Sequence, residues 1–553
     1  MSRDLLIGVD AGTSVIKSIA FTPDGEQVGA CARANLYHTV EGAGAEQDMT
    51  ATWADAAASL RGLAETVPNL GSRVAAIAVT AQGDGTWLVD AEGEPAGPAL
   101  IWLDARSASL TAQLRASPAG RRHFESTGSG LAACQMGPQL LWLDRHRPDV
   151  MARAATAFHL KDWLYFKLTG DRATDPSEGV HSFGDFRTMD YAPAVLDGLG
   201  LGARRGLLPP IVDGGQRAGA LSPAAAREIG FGEGLPVCLG PIDIVATALG
   251  AGLYDPVRDT GCTIVGSTGM HMRIARSSDA VRLNPESTGY TLVFPVPGTF
   301  AQLQSNMAST LNIDWLVDLA RGVLKQHGVE RSRADIVLDL DDHVLRAEAG
   351  TLLYHPYISE AGERGPFVDA AARAQFHGLS ARHGFDDMMR AVYEGLGFAA
   401  RDCYAAMGPI PPEVRVTGGA ARSKALRTIL AAALGTRIRT STREEAGAAG
   451  AAMMAAVAIG VCPDMERCIE RWVTPTLADA IDPDPALAQR YDRLFPAYVA
   501  SREASGPVWH AMRDARDADA RDASGWATPR GRDAGPSTPD RRRLEPNEKE
   551  SAL

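Results

Sequence analysis

The run Gly8-Val-Asp-Ala-Gly-Thr-Ser-Val-Ile-Lys17 is the first place in this chain where residue types and spacing suit chemistry. Its second glycine lets backbone N–H groups approach an anion in a tight turn. Thr13 and Ser14 add hydroxyl donors, and Lys17 adds a positive charge. Asp10 stands at the end of a strand, where a carboxylate can hold a water of the Mg²⁺ shell. The run favours a phosphate-binding turn, and a plain hairpin with a surface lysine is the alternative.

Two later turns offer related donors. The run Gly266-Ser267-Thr268-Gly269 has the same hydroxyls without a carboxylate, and taken alone it is a hydroxyl-rich β-turn. Paired with the first turn in a second half of the chain, it becomes a second clamp on the same phosphates. The run Thr417-Gly418-Gly419-Ala420-Ala421-Arg422-Ser423 leads into a helix and can seat a nucleotide against backbone N–H groups. A Gly-Gly turn is also a common connection, so this signal is less specific.

Asp243 is the fourth candidate. It follows the apolar strand Pro236–Leu239 and opens an Ala-rich helix. Taken alone, this position predicts a helix N-cap, a common and stabilising use of aspartate. Capping explains the position but not the small residues behind it, which would let another surface close over the helix.

The elements around these residues predict an α/β fold. Apolar runs give strands at 5–9, 15–21 and 74–80, with a helix over 52–65. A second strand–turn–strand unit over 262–275 repeats the plan of residues 5–21. We therefore expect a duplicated core, with an N-terminal domain over 1–252 and a C-terminal domain over 253–512. From 513 to 553 aliphatic residues almost vanish, which predicts a disordered charged tail.

Size and composition restrict the class of protein. A chain of 553 residues is too long for one core, and 45% hydrophobic residues are typical of a globular protein. The net charge of −12 argues against nucleic acid or an anionic membrane as a partner. Seven scattered cysteines without a C-x-x-C pair indicate reduced thiols, so we expect a cytoplasmic protein. No apolar run is long enough to span a bilayer.

The four elements, in this order, resemble the FGGY family of carbohydrate kinases, in the superfamily of sugar kinases, actin and Hsp70. The resemblance covers roughly residues 5–500. Further segments agree with it: Leu160–Asp171 with Thr174, Asp175 and Ser177, Tyr354–Tyr357, Gly362–Phe367 with Asp369, Gly378–Phe385, Arg390–Gly395 and Glu445–Ala452.

The resemblance implies two actin-like, ribonuclease-H-like domains flanking a cleft, and transfer of phosphate from ATP to a small sugar or polyol. It makes Asp10 the Mg²⁺-side carboxylate and Asp243 the catalytic base, which overturns the preference for a cap. The N-terminal domain would then bind the acceptor and phosphates, and the C-terminal domain the nucleotide. The residues implied to hold the ATP phosphates are Thr13, Ser14, Lys17, Gly266, Ser267 and Thr268. Those implied to lie near adenosine are Gly418, Gly419 and Ser423.

The segment Val79–Gly85 lines the acceptor pocket in this family. Pentulose kinases such as xylulokinase have Gln-Met-His-Gly there, whereas this chain has Gln82-Gly-Asp84-Gly. The segment is most similar to that of family members acting on erythritol, and a carboxylate suits a polyol because it accepts hydroxyl hydrogen bonds without needing a carbonyl. An Asx-type turn is the alternative for Asp84. Asp104 and Arg106 could likewise bind hydroxyls, or pair with each other.

Three functions therefore remain in view. A kinase of erythritol is the first, a pentulose kinase of the xylulokinase or ribulokinase type the second, and a nucleotide-switch ATPase of the same superfamily the third. The expected ligands are ATP, Mg²⁺ and a small polyol, and a homodimer is left open. A sugar-sensing pseudokinase is disfavoured because every phosphate element is intact.

Overall fold

A computed structural model describes residues 3–525, with side chains described up to residue 518, and two six-stranded sheets form its framework. The strand Leu5–Ala11 pairs antiparallel with Val15–Phe21 and parallel with Val74–Ala81. The order in the first sheet is Gly219–Ala220, Pro236–Leu239, Val74–Ala81, Leu5–Ala11, Val15–Phe21 and Gln27–Ala34.

The second sheet repeats this plan. Thr260–Val265 pairs antiparallel with Gly269–Ala275 and parallel with Glu413–Thr417, as the first strands of the other sheet do. Its order is Tyr290–Val293, Phe300–Asn306, Gly269–Ala275, Thr260–Val265, Glu413–Thr417 and Arg437–Thr440. The duplicated α/β core predicted from the sequence is confirmed.

Helices cover both sheets. In the first half they are Met49–Thr66, Leu70–Arg73, Ala108–Arg115, Pro118–Thr127, Met136–His146, Pro148–Arg153, Leu160–Thr169, Pro176–Phe183, Pro193–Leu199, Pro223–Ile229 and Asp243–Ala251. In the second half they are Thr310–Gln326, Arg333–Val337, Leu340–Arg346, Phe385–Met407, Lys424–Leu434, Ala446–Ala458, Met465–Trp472 and Pro485–Gly525. Minor sheets pair the strands His38–Val40, Gly44–Gln47 and Ala99–Leu100, Trp87–Val89 with Thr156–Phe158, Gly184–Asp185 with Asp190–Tyr191, and Leu353–His355 with Gln375–His377.

Two helices made of small residues join the halves. Asp243–Ala251 and Ala446–Ala458 cross with their backbones in contact, since a Cβ added to Gly450 would lie 2.0 Å from the carbonyl oxygen of Ala246. The second helix also lies directly on the first sheet, where a Cβ on Gly8 would stand 1.9 Å from the carbonyl oxygen of Ala448. Side chains of any size would separate these elements. The small residues therefore bring the starts of both helices to the end of the first strand.

The last helix differs from the sequence prediction. It runs over Pro485–Gly525, so residues 513–525, assigned to a disordered tail, are helical. Low burial was the basis of that prediction, but extending an existing helix adds one hydrogen bond per residue and needs no apolar burial. The alanines that alternate with Asp and Arg from residue 513 also favour helix. The rest of the predicted tail, 526–553, lies outside the described residues. Among residues 3–525, no helix is both long and apolar enough to cross a membrane.

Candidate active site

The first turn is held from three sides. Gly12 N–H donates to the Val15 carbonyl at 2.9 Å, and Asn35 Nδ2 donates to the Gly12 carbonyl at 2.8 Å. Gln47 Nε2 donates to the Thr13 carbonyl at 3.1 Å. The backbone of the turn is therefore fixed by hydrogen bonds from within the chain.

The hydroxyl of Thr13 faces a cavity. It donates to Gln82 Oε1 at 2.7 Å and accepts from Trp102 Nε1 at 2.8 Å. Gln82 Nε2 in turn donates to Gln47 Oε1 at 2.6 Å. Trp102 is a wall of the cavity. Ser14 follows at an exposed position on the same turn.

Asp10 and Lys17 lie opposite each other on paired strands. Burial raises the pKa of Asp10 to about 6, against the attraction of Lys17 and with help from the charge of Glu445. Lys17 Nζ lies 3.1 Å from Glu445, which immediately precedes the helix Ala446–Ala458. The sequence did not predict this partner, because the two residues are far apart in the chain.

Asp243 is the first residue of its helix, and the capping position belongs to Ile242. The cap predicted from the residues alone is therefore wrong, because Asp243 is already helical. Its Oδ1 accepts from the Ile244 N–H at 2.7 Å and, within the described residues, from no other group. Burial and the charges of Asp10, Glu178 and Asp84 raise its pKa well above the ordinary value, against the Ile244 N–H. A carboxylate held in this way is a strong proton acceptor once ionised.

A cavity of about 260 Å³ brings most acceptor-side candidates together. Of the predicted residues, it is lined by Thr13, Gln82, Asp84, Asp243 and Thr268. It is also lined by polar residues that the sequence reasoning missed, namely Arg115, Cys134, Ser287, Thr288, Tyr290, Ser305 and Arg364. Both halves of the chain thus contribute to one site.

Asp84 has a strained backbone, with φ of 56° between two glycines, and a side chain fixed by several partners. Cys134 Sγ and Tyr290 OH each donate to its Oδ2 at 3.3 Å, and His181 Nε2 lies 3.3 Å from Oδ1. Burial raises the pKa of Asp84, but His181, Cys134 and the charge of His159 outweigh it and hold the pKa below its ordinary value. The carboxylate is therefore ionised and accepts from other side chains, unlike in an Asx turn.

A buried network of charges supports Asp84 from behind. Glu178 Oε1 accepts from the Asp84 N–H at 3.2 Å, and Glu178 Oε2 lies 2.7 Å from His159 Nε2. Asp162 and Lys161 continue the network, with Lys161 Nζ 2.6 Å from Asp162 Oδ1. Burial lowers the pKa of His159, but Glu178 and Asp162 outweigh it and raise the pKa to about 9. Each buried charge here has a partner, which makes the acceptor loop stiff.

Asp104 and Arg106 do not line the cavity, so the expectation that they contact the acceptor is corrected. They pair with each other, at 2.7 Å, which was the alternative. Arg106 also pairs with Glu46 at 2.8 Å and stacks 4.5 Å from the centre of the Trp142 ring. Two carboxylates, Asp104 and the sequence-remote Glu46, therefore hold the guanidinium.

The turn Gly266–Gly269 connects the strands Thr260–Val265 and Gly269–Ala275 and lies against the start of the helix Thr310–Gln326. The Gly266 carbonyl accepts from the Thr310 N–H at 3.1 Å, and the Ser267 carbonyl accepts from the Ser309 N–H at 2.8 Å. Thr268 is the residue of this turn that lines the cavity, whereas Ser267 is exposed beside it.

Gly418 and Gly419 line a separate cavity of about 360 Å³. Gly418 has φ of 95°, and a Cβ there would lie 2.5 Å from the Val265 carbonyl oxygen, so only glycine fits. Ser423 does not line this cavity, which corrects its expected place beside adenosine. It caps the helix Lys424–Leu434 and donates to Asp341 at 2.5 Å.

Glu363 anchors the loop that brings Arg364 to the acceptor cavity. Its Oε1 accepts from the N–H groups of Met307 and Arg364, each at 2.8 Å, while its Oε2 is buried with no hydrogen-bond partner among the described residues. Burial raises the pKa of Glu363 from 4.5 to about 7, against those N–H groups. The protonated form is therefore the one that the fold prefers.

Glu363→Gln should stabilise the protein more at pH 8 than at pH 5. A pKa raised on folding contributes stability below pH 4.5, and this contribution is lost as the pH rises through about 7. Glutamine resembles the protonated acid at every pH, so the difference in unfolding free energy should grow by about 2 kcal/mol over this range. Urea unfolding at both pH values measures it. Glu360→Gln, at a side chain 91% exposed, is the control and should show no such trend.

Comparison with known proteins places this geometry in a family. The model of the FGGY family of carbohydrate kinases, N-terminal domain, matches residues 5–250, and that of the C-terminal domain matches residues 261–459. Erythritol kinase of Brucella abortus (strain 2308) is 51% identical over 509 residues, covering 92% of this chain and 98% of that protein. Xylulose kinase of Escherichia coli (strain K12) is 28% identical over 461 residues, covering 82% and 90%. The crystal structure of xylulose kinase from Rhodospirillum rubrum superposes with a TM-score of 0.82 at 27% identity, covering 92% and 100%. This chain belongs to the FGGY family of carbohydrate kinases.

Proposed function

We propose that this chain transfers the γ-phosphoryl group of ATP to a hydroxyl of erythritol, with Asp243 as general base. The observation that carries the proposal is the cavity lined by Asp243 and Asp84, with a hydroxyl donor from each half, Thr13 and Thr268. An acceptor-only carboxylate at Asp84 suits a polyol, which has hydroxyls to donate and no carbonyl. The 51% identity to an erythritol kinase, against 28% to a xylulose kinase, supports the same acceptor.

In the proposed reaction Asp243 accepts the proton of the acceptor hydroxyl while the new O–P bond forms and the bond to ADP breaks. A hydroxyl is a poor nucleophile, and a carboxylate in hydrogen-bond reach overcomes this. The raised pKa of Asp243 makes it a better base than an exposed carboxylate. Closure of the two halves would exclude water, which otherwise competes as acceptor.

The ATP phosphates would lie between the two turns. We assign them to Thr13, Ser14 and Lys17 on one side and to Gly266, Ser267 and Thr268 on the other. Lys17 pairs with Glu445 at 3.1 Å with 41% of its side chain exposed, so it can turn toward a phosphate. We assign adenosine to the cavity at Gly418 and Gly419, so in this proposal the half after residue 252 binds the nucleoside.

Asp10 is the residue proposed to hold Mg²⁺ through its water shell. Its carboxylate fits a cation, because other carboxylates lie near it. Burial and the charge of Glu445 raise the pKa of Asp10, and burial and the charge of Asp10 raise that of Asp243, so a positive charge would relieve the repulsion. No cluster of three metal-ligating side chains occurs in residues 3–518. That agrees with Mg²⁺ sites in which one or two carboxylates and the substrate phosphates are the ligands. When bound, the ion would neutralise charge on the phosphates.

We also propose a cytoplasmic location, where ATP is available. The seven cysteines are all unpaired in the structure, which suits a reducing compartment. Sedimentation equilibrium, which measures molecular mass, would distinguish a homodimer from a monomer.

ADP release measured with a panel of acceptors tests the function. We expect kcat/KM for erythritol to exceed that for glycerol, D-threitol, xylitol, xylulose and ribulose. A higher kcat/KM for xylulose would show that Asp84 has been assigned wrongly and that the enzyme is a pentulose kinase. ADP release that is the same without any acceptor would instead support a switch ATPase.

A further inference from the structure

Two arginines that line the acceptor cavity have no partner among the described side chains. Arg115 ends the helix Ala108–Arg115 in the first half, and Arg364 enters from a loop of the second half. Within the described side chains, neither guanidinium has a hydrogen-bond or ion-pair partner, and Arg364 Nε is buried without one. Arg106, close by in sequence, has two carboxylate partners instead.

An unpaired guanidinium in a cavity costs free energy, because water is removed and no acceptor replaces it. Burial lowers the pKa of Arg115, which reflects this loss of water. Arginines that are buried are normally paired. The two side chains therefore need acceptor oxygens from something that enters the cavity.

Hydroxyl groups supply what the cavity lacks. The carboxylates of Asp84 and Asp243 only accept, and guanidinium groups only donate. A hydroxyl does both, so a polyol hydroxyl can donate to a carboxylate and accept from an arginine at once. Tyr290 already donates to Asp84 at 3.3 Å, and the charges of both arginines act on Tyr290, so these groups share one side of the cavity.

The backbone that carries Arg364 is fixed. Glu363 accepts from the Arg364 N–H at 2.8 Å, and a Cβ on Gly365 would lie 2.8 Å from the Ser305 carbonyl oxygen. A donor on a fixed backbone loses little entropy when it binds, which favours a role in recognition.

We propose that Arg364 and Arg115 are specificity-determining residues that donate to the acceptor hydroxyls that are not phosphorylated. The inference rests on the proposed function, in that erythritol is taken as the acceptor. It adds that the second half of the chain recognises the acceptor directly through Arg364. Acceptor binding and closure of the two halves are then coupled.

The proposed hydrogen bonds are tested by removing one hydroxyl from the substrate and, separately and together with it, one arginine side chain from the enzyme. Erythro-butane-1,2,3-triol is erythritol without one terminal hydroxyl. For the unaltered enzyme we expect kcat/KM to be about 10- to 100-fold lower for the triol than for erythritol, the size of a hydrogen bond to a charged group. In Arg364→Met or Arg115→Met, the ratio of kcat/KM for erythritol to kcat/KM for the triol should fall toward one. KM for erythritol should rise, and KM for ATP should change less than about twofold. Arg364→Lys should be intermediate, since it keeps a charge but loses the fork.

Arg121→Met is the matched control, because Arg121 is exposed and lines only a neighbouring cavity. It should keep the ratio of the unaltered enzyme. The inference is overturned if both methionine variants also keep that ratio, since a merely structural arginine would weaken both acceptors equally. If Arg364→Met does not fold, Arg364→Lys and Arg115→Met decide by the same ratio. If the unaltered enzyme does not phosphorylate erythritol at all, the proposed function fails and the inference with it, an outcome distinct from an unchanged ratio in an active enzyme.

Discussion

Asp243→Asn is expected to lower kcat with erythritol by about 10²- to 10⁴-fold, the range for loss of a general base. Asparagine keeps the size of the side chain and can still accept from the Ile244 N–H, so the helix start should survive. It cannot take up a proton. KM for ATP should change less than about twofold, because the phosphate turns are untouched. Steady-state ADP release at saturating ATP measures both constants.

The pH profile checks the same residue independently. Burial, together with Asp10, raises the pKa of Asp243, and the base must be ionised to act. As the pH falls through this raised pKa, kcat/KM should therefore fall, and above it kcat/KM should level off. The acid limb should be missing in Asp243→Asn. Asp171→Asn, at an exposed position, is the control and should keep both the rate and the limb.

A loss of less than about tenfold in Asp243→Asn would remove the general-base role. The variant also separates a kinase from a switch ATPase. In a kinase the acceptor-dependent rate collapses while any slow hydrolysis without acceptor persists. A switch ATPase would show the same residual rate with and without erythritol in both forms.

Local pattern was enough to predict the framework. The strand Val15–Phe21 was predicted with its observed bounds, because an apolar run between two glycine turns has one natural arrangement. The helix predicted over 52–65 is found as Met49–Thr66, extended by the cap that Asp48 provides. The two turns at Asp10–Ser14 and Gly266–Gly269 were recognisable as turns for the same reason, since their residues are adjacent in sequence.

The other wall of the acceptor cavity has no local pattern. Asp84, Tyr290 and Arg364 line one cavity to which both halves of the chain contribute. Nothing in the residues around each of them predicts this contact. Asp104 and Arg106 are the opposite case, residues that the sequence assigned to the acceptor but that do not line the cavity. Their spacing allowed either substrate binding or pairing with each other. In the structure they pair, and Arg106 also binds Glu46, which the local sequence could not indicate. Local sequence therefore predicted the turns and strands better than the contacts between the two halves.

Gly450→Ala is expected to destabilise the protein by about 3 kcal/mol or more. The added Cβ would lie 2.0 Å from the Ala246 carbonyl oxygen, which is backbone and cannot rotate away. The helix Ala446–Ala458 would have to move off Asp243–Ala251, and overpacking of this kind costs about 1–3 kcal/mol even when side chains can adjust. The midpoint of thermal unfolding and the free energy of unfolding in urea measure the change. Activity should fall together with stability, because the helix that the added Cβ pushes away begins at Asp243.

Gly322→Ala is the matched control, since it makes the same change inside a helix, Thr310–Gln326, at an exposed glycine with no atom within 4 Å of the added Cβ. There alanine should stabilise the protein by about 0.5–1 kcal/mol, because glycine loses more backbone entropy on folding. The two substitutions therefore have opposite expected signs. Equal shifts in both variants would mean that the two helices are not in backbone contact. Opposite shifts, with catalysis lost only in Gly450→Ala, would show that the absence of side chains at this crossing is what holds Asp243 against the end of the first strand.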